Sequence, residues 1–134
     1  MCLIINKRLT KKYDNVKNTV YVFYKEFHVE FRIAQLKTPY QYKTIKTYGV
    51  VEAECDLNIN RYKTITTITG GCCHAYINKQ KGIEIIKKFS DCGSLIPIYV
   101  KSEDIIAAGK ENDICFFKYE IKQKDWDNAF KWLH

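Results

Sequence analysis

The chain has 134 residues, 46% of them hydrophobic and 28% charged, with 22 Lys and Arg against 15 Asp and Glu for a formal charge of +7. That length suits one domain, 1-134, able to bury roughly two-thirds of the surface of its unfolded form, and the composition excludes a disordered tail. No run approaches the about 20 apolar residues of a membrane span, and basic residues follow the first apolar run instead of preceding it as in a secretory leader, so a soluble cytoplasmic protein is expected.

Leu3-Ile4-Ile5 reads as a short strand, and the lysine-rich stretch 6–18 as a loop. The β-branched and aromatic run Val20-Tyr21-Val22-Phe23-Tyr24 predicts a strand over 19–27, followed by a second over 29–34 with a turn near 25–28. Pro39 biases Thr38 away from helix. A bent strand is expected from 43 to about 57, interrupted at Gly49, and a partly exposed one over 62–69. After Gly70-Gly71 comes a short buried strand, 72–77. Asn78 is then a good helix N-cap, because its side chain accepts from an otherwise orphan backbone N–H. Ile83, Ile86 and Phe89 form the apolar stripe of the helix that follows, with Gly93 as its C-terminal cap.

Leu95 to Val100 reads as a strand, with Pro97 pointing to an edge or a bulge. The stretch 114–121 reads as one aromatic strand. Trp126, Ala129, Phe130 and Leu133 then give the spacing of a C-terminal helix. The fold class expected is α+β: a mainly antiparallel sheet with one internal helix and one C-terminal helix packed on it.

Six cysteines without a secretory leader are expected to be reduced. Cys72 and His74 share one side of a strand, which makes them the candidate zinc ligands, while Cys73 points the other way. There is no Cys-x-x-Cys pair, and small buried thiols are the plainer expectation, so no cofactor is expected. For a nucleophilic Cys-His pair, immediate neighbours diverge, and the partner of a reactive Cys would come from His28 or a distant thiol. His74 alone is the candidate general acid or base, or a ligand contact beside two glycines, while the commonest role for such a residue is a satisfied interior histidine bridging two backbone groups.

Tyrosines interleave with cations at Tyr40, Tyr42, Lys43 and Lys46, and again at Arg61, Tyr62 and Lys63. Aromatic faces stack on bases while cations neutralise phosphates, so these residues with His74 are the candidate binding set. No Walker loop, Rossmann fingerprint or Gly-x-Ser-x-Gly is present, which removes the commonest nucleotide-hydrolase and hydrolase readings.

Met1-Cys2-Leu3-Ile4, Tyr21-Val22-Phe23-Tyr24, Thr38-Pro39-Tyr40, Gly71-Cys72-Cys73-His74-Ala75-Tyr76 and Ile96-Pro97-Ile98-Tyr99-Val100 through Cys115 together carry a resemblance. The chain resembles a loose family of small uncharacterised phage and mobile-element proteins, which carry an aromatic where this chain has Cys-Cys. The resemblance implies an accessory role, such as modulating host defence. A non-catalytic binding protein for an anionic partner is therefore expected, the partner being nucleic acid, a nucleotide signal or a host nucleoprotein complex. Two alternatives stand beside it: a small enzyme acting on nucleotides or proteins through His74, and a protein–protein inhibitor or adaptor using an aromatic sheet edge.

Overall fold

The computed structural model describes residues 3–30, 33–38, 41–45, 47–52, 67–68, 72–89 and 94–133. It is an α+β fold built on a mainly antiparallel sheet, as the sequence pattern predicts. Its elements run β1 (Leu3–Ile4), α1 (Lys7–Asp14), β2 (Val20–Glu30), β3 (Ile33–Thr38), β4 (Gln41–Ile45), β5 (Gly49–Glu52), β6 (Thr67–Ile68), β7 (Cys73–Tyr76) and α2 (Lys79–Phe89). Then follow β8 (Ser94–Lys101), a 3-10 turn (Ser102–Asp104), β9 (Ile105–Ala108), β10 (Asp113–Phe116), β11 (Lys118–Ile121) and α3 (Gln123–Leu133).

Four expectations need correction. The stretch 6–18 is not a loop: Asn6 caps a helix, its side chain accepting from Leu9 N at 3.1 Å. Leu9, Thr10 and Tyr13 supply the face that packs inward, a stripe too short to stand out among five cations. The strand β2 runs straight through 25–28, because β3 pairs with it from Glu26 to Glu30. Pro97 sits in a central strand, opposite Tyr24 of β2. It is tolerated there because β11 pairs with β8 at Tyr99 and has left the sheet before reaching Pro97, so the missing N–H breaks no ladder on that side. Finally, 114–121 is two strands divided at Phe117, whose N–H donates to Asp104 O at 2.9 Å.

That division shapes the molecule. The sheet order is β5-β11-β8-β2-β7-β10-β9, so β8, β2 and β7 lie between two strands that are consecutive in sequence. Laid flat, four strand spacings would separate β10 from β11 by about 19 Å. The single residue between them spans only about 7 Å. The sheet therefore rolls over on itself, and the rings of Phe116 and Tyr119 meet inside the roll at 5.6 Å. Phe23, Phe27, Ile96, Ile98, Val100, Ile114, Phe116 and Ile121 fill the interior. Tyr13 of α1 meets Tyr21 and Phe23 at one end, and Trp126 of α3 meets Phe27 edge-on at 5.4 Å.

A second, smaller core lies outside the roll, where the β1–β6 ribbon covers β10, β7 and β9 with Leu3, Ile5 and Ile68. Gly109 is required there: a Cβ at this position would stand 2.0 Å from Asp113 Oδ1 and 2.9 Å from Leu3 Cγ. The expected N-cap of α2 is in place, with Lys81 N donating to Asn78 Oδ1 at 3.1 Å. Gly93, the expected cap at its other end, lies outside the described residues.

Candidate functional site

Three arrangements of polar side chains stand out, and they differ in what surrounds them. The first is enclosed. Alternation along β7 puts Cys72 and His74 on the outer face of the roll and Cys73 on the inner one. Cys72 Sγ lies 3.4 Å from His74 Nε2. Cys115 stands directly opposite His74 in the β10–β7 register, hydrogen-bonds Cys72 and directs its thiol toward Ala107 O at 3.5 Å. All three residues have no exposed surface.

The hydrogen bond from Cys115, with His74 and the charge of Lys25 assisting, holds the Cys72 thiol below its ordinary value against the effect of burial. Cys115 moves the other way, because it makes that bond with Cys72 and is buried.

Lys25 completes this region from the inner side. The β2–β7 ladder holds one pair, Tyr24 with Tyr76, because β3 takes over as the neighbour of β2 from Glu26 onward. The Lys25 side chain reaches over where the ladder opens, its Nζ donating to His74 O at 2.6 Å and lying 5.3 Å from the centroid of the Tyr119 ring. Burial lowers its pKa to about 8, an effect partly offset by the sulfurs of Cys73 and Cys72. The amine thus stands in for a ladder donor, and nothing in the sequence near Lys25 announces it.

The second arrangement is an open cleft of about 390 Å³ on the outer face of β8, β11 and the start of β2. Tyr99 forms its aromatic wall, with Lys122 Nζ 4.0 Å from the ring centroid, and Val20 and Val50 are its exposed apolar rims. Lys101, Lys118 and Lys122 face Asp104 and Glu120 there, and Lys118 also pairs with Glu52 at 3.4 Å. Its charges nearly balance.

The third is the outer face of α1. Lys7, Arg8, Lys11 and Lys12 are all exposed, and Asp14 is the helix's one acidic residue. Lys11 and Lys12 lie in the last turn, where cations suit the helix dipole, but Lys7 and Arg8 lie in the first, where they oppose it. The loop leaving α1 is tied down by Asn18 N to Glu103 Oε1 at 3.0 Å and Ser102 N to Thr19 O at 2.8 Å. These bonds anchor the end of α1 beside Lys101 and Asp104 at the rim of the cleft.

Of the residues singled out by sequence, Cys72 and His74 do come together, and Cys115 is the thiol that lies beside them. Among the described residues no group of three His, Cys, Asp or Glu side chains is arranged to hold a metal ion. Tyr42 and Lys43 lie on β4, paired with Lys37 and Leu36, and their side chains are outside the description. Tyr40, Lys46, Arg61, Tyr62 and Lys63 fall outside the described residues, as does the side chain of His28. Sequence reading missed the α1 cations as a surface because it took their segment for a loop. The signal available was Asn6 followed by Leu9, Thr10 and Tyr13 at helical spacing. Among the described residues no helix is long and apolar enough to cross a membrane. No family model, no curated protein and no solved structure matches the chain.

Proposed function

We propose that the protein is a non-catalytic binding protein that engages an anionic partner, nucleic acid being the class that fits best, through the exposed face of α1. The observation that carries this reading is the row of four cations on that face, two of them placed against the helix dipole. Cations at a helix start weaken the helix, so their presence there calls for a compensating use. The four cations are exposed and α1 contributes no residue to the cleft, which suits successive phosphates along a strand better than one nucleotide held in a pocket. Lysine-dominated contact predicts attraction to backbone without base readout. His74, enclosed in the smaller core, takes no part in this contact. The accessory role in a phage or mobile element, including modulation of host defence, enters through the sequence resemblance alone.

The test is binding of short duplex DNA, single-stranded DNA and RNA followed by fluorescence anisotropy across a salt series. If all four α1 cations meet phosphates of a duplex, log K falls against log salt with a slope of about −3 to −4 from this helix. Replacing Lys7, Arg8, Lys11 and Lys12 together by Glu removes that part of the slope and most of the affinity. Salt-independent binding, or binding indifferent to the replacement, refutes the reading.

A further inference from the structure

The enclosed cluster has a chemistry that the proposed partner contact does not use. We propose that Cys72 and Cys115 are a reversible dithiol–disulfide site, oxidised by hydroperoxides, in which Cys72 is the sulfur attacked first, Cys115 resolves it, and His74 keeps Cys72 reactive.

The geometry carries the assignment. Cys115 faces His74 directly across β10 and β7, so Cys72, two residues along, is its diagonal neighbour on the same face, and the two thiols are in hydrogen-bond contact. Diagonal neighbours lie about 7 to 8 Å apart, just beyond the about 6.8 Å between Cα atoms that a disulfide spans, so bridging them requires a small backbone shift. Cys72 precedes the first residue of β7 and stands outside the ladder, which leaves its backbone able to close that distance. His74 Nε2 at 3.4 Å supplies the polar contact that a thiolate needs in an apolar setting. Cys73, by contrast, points into the main core and stands opposite Phe116 in the register.

Access follows from what covers the site. The lid is the β1–β6 ribbon, in which, among the described residues, Leu3 pairs with Ile68 and Ile4 with Thr67. Local opening of this cover, a small core apart from the interior of the roll, admits a small oxidant without unfolding the roll. The Cys72 thiolate then attacks the peroxide O–O bond, giving a sulfenic acid and releasing the alcohol, or water from hydrogen peroxide, once a proton is taken up. The Cys115 sulfur attacks the sulfenyl sulfur, and the departing hydroxide leaves as water with the Cys115 proton. Two thiols and one hydroperoxide thus yield one disulfide, one alcohol and one water, the two electrons passing from sulfur to oxygen.

The experiment uses the whole folded chain, treated with hydrogen peroxide at neutral pH, alkylated, and mapped by peptide mass spectrometry without reductant. The expected product is a Cys72–Cys115 cross-link lacking two hydrogens, formed equally in a Cys73→Ser variant and reversed by dithiothreitol. In Cys115→Ser the reaction stops at a sulfenic acid on Cys72 that dimedone traps. His74→Gln slows cross-linking about tenfold at neutral pH, and the rate recovers toward wild type as pH rises past the ordinary thiol range. A merely structural histidine would not produce that recovery. The proposal is overturned if the folded chain gives no such link under conditions that oxidise the denatured chain, or if Cys73 is oxidised as fast as Cys72. An unchanged rate in His74→Gln overturns the part assigned to His74.

Discussion

The interior of the roll and the outer face of α1 treat positive charge in opposite ways. Inside, Lys25 is almost wholly buried and its ammonium is bound to a backbone carbonyl and set near an aromatic ring. Outside, Lys7, Arg8, Lys11 and Lys12 project from one short helix, and the dipole favours only the last two. A buried charge must be satisfied within the fold or it destabilises it, whereas an exposed charge adds little to stability and is free to meet a partner. The comparison assigns structural work to the first region and recognition to the second. Four variants test it, in falling order of effect on stability.

The largest effect belongs to the core that forces the sheet to roll. Phe116 is fully buried, stacks on Phe23 with centroids 6.2 Å apart and meets Tyr119 edge-on. Phe116→Ala should cost about 3 to 5 kcal/mol, read from urea unfolding. A loss below about 1 kcal/mol would mean that β10 and β11 are not held together by this contact.

Lys25 comes next, and its effect is a matter of pH. Its pKa falls from 10.5 in the unfolded chain to about 8 in the folded one, so between those values the unfolded state binds more protons. The penalty for burying the charge is complete below pH 8 and gone above 10.5. Wild type should therefore gain about 3 kcal/mol relative to Lys25→Met as pH rises through that window. Unfolding curves for the two proteins at pH 7.5 and 10.5 measure the difference, and a constant gap would show that Lys25 is not buried as a charge.

Thr10 joins α1 to the sheet. Its hydroxyl bonds Asn6 O at 2.8 Å and lies 3.2 Å from Ala108 O, while accepting from Ala108 N at 3.0 Å. Thr10→Val leaves that backbone N–H buried without its partner and should cost about 1 to 3 kcal/mol by thermal unfolding. An unchanged melting temperature would mean that α1 is held by Leu9 and Tyr13 alone.

These contacts also mark what the sequence made legible. The first half of β2, the helix α2 with its Asn78 cap and the α+β class followed from side-chain type and spacing, because each depends on residues near one another in the chain. The roll did not, because it depends on Phe117 ending one strand and starting another four places away in the sheet. Nor did the role of Lys25, which follows from β3 displacing β7 along β2. At the candidate site, alternation correctly put Cys72 and His74 on one side, but only tertiary packing brought Cys115 to them and closed the ribbon over all three. Helix α1 was hidden for a different reason: its apolar stripe is two residues long, and most of its surface is charge.

The smallest stability effect is expected at α1, and it discriminates best between the two regions. Replacing Lys7 and Arg8 by Gln removes two cations that oppose the helix dipole, each interaction being worth about 0.3 to 1 kcal/mol at low ionic strength. The helix keeps its Asn6 cap and its contacts through Leu9, Thr10 and Tyr13. Stability should therefore stay level or rise slightly in low-salt unfolding, while affinity for nucleic acid falls and its salt slope shrinks by about 2. Destabilisation with unchanged affinity would reverse the assignment: the two residues would then be holding α1 in place, and the anionic partner would have to meet the protein elsewhere.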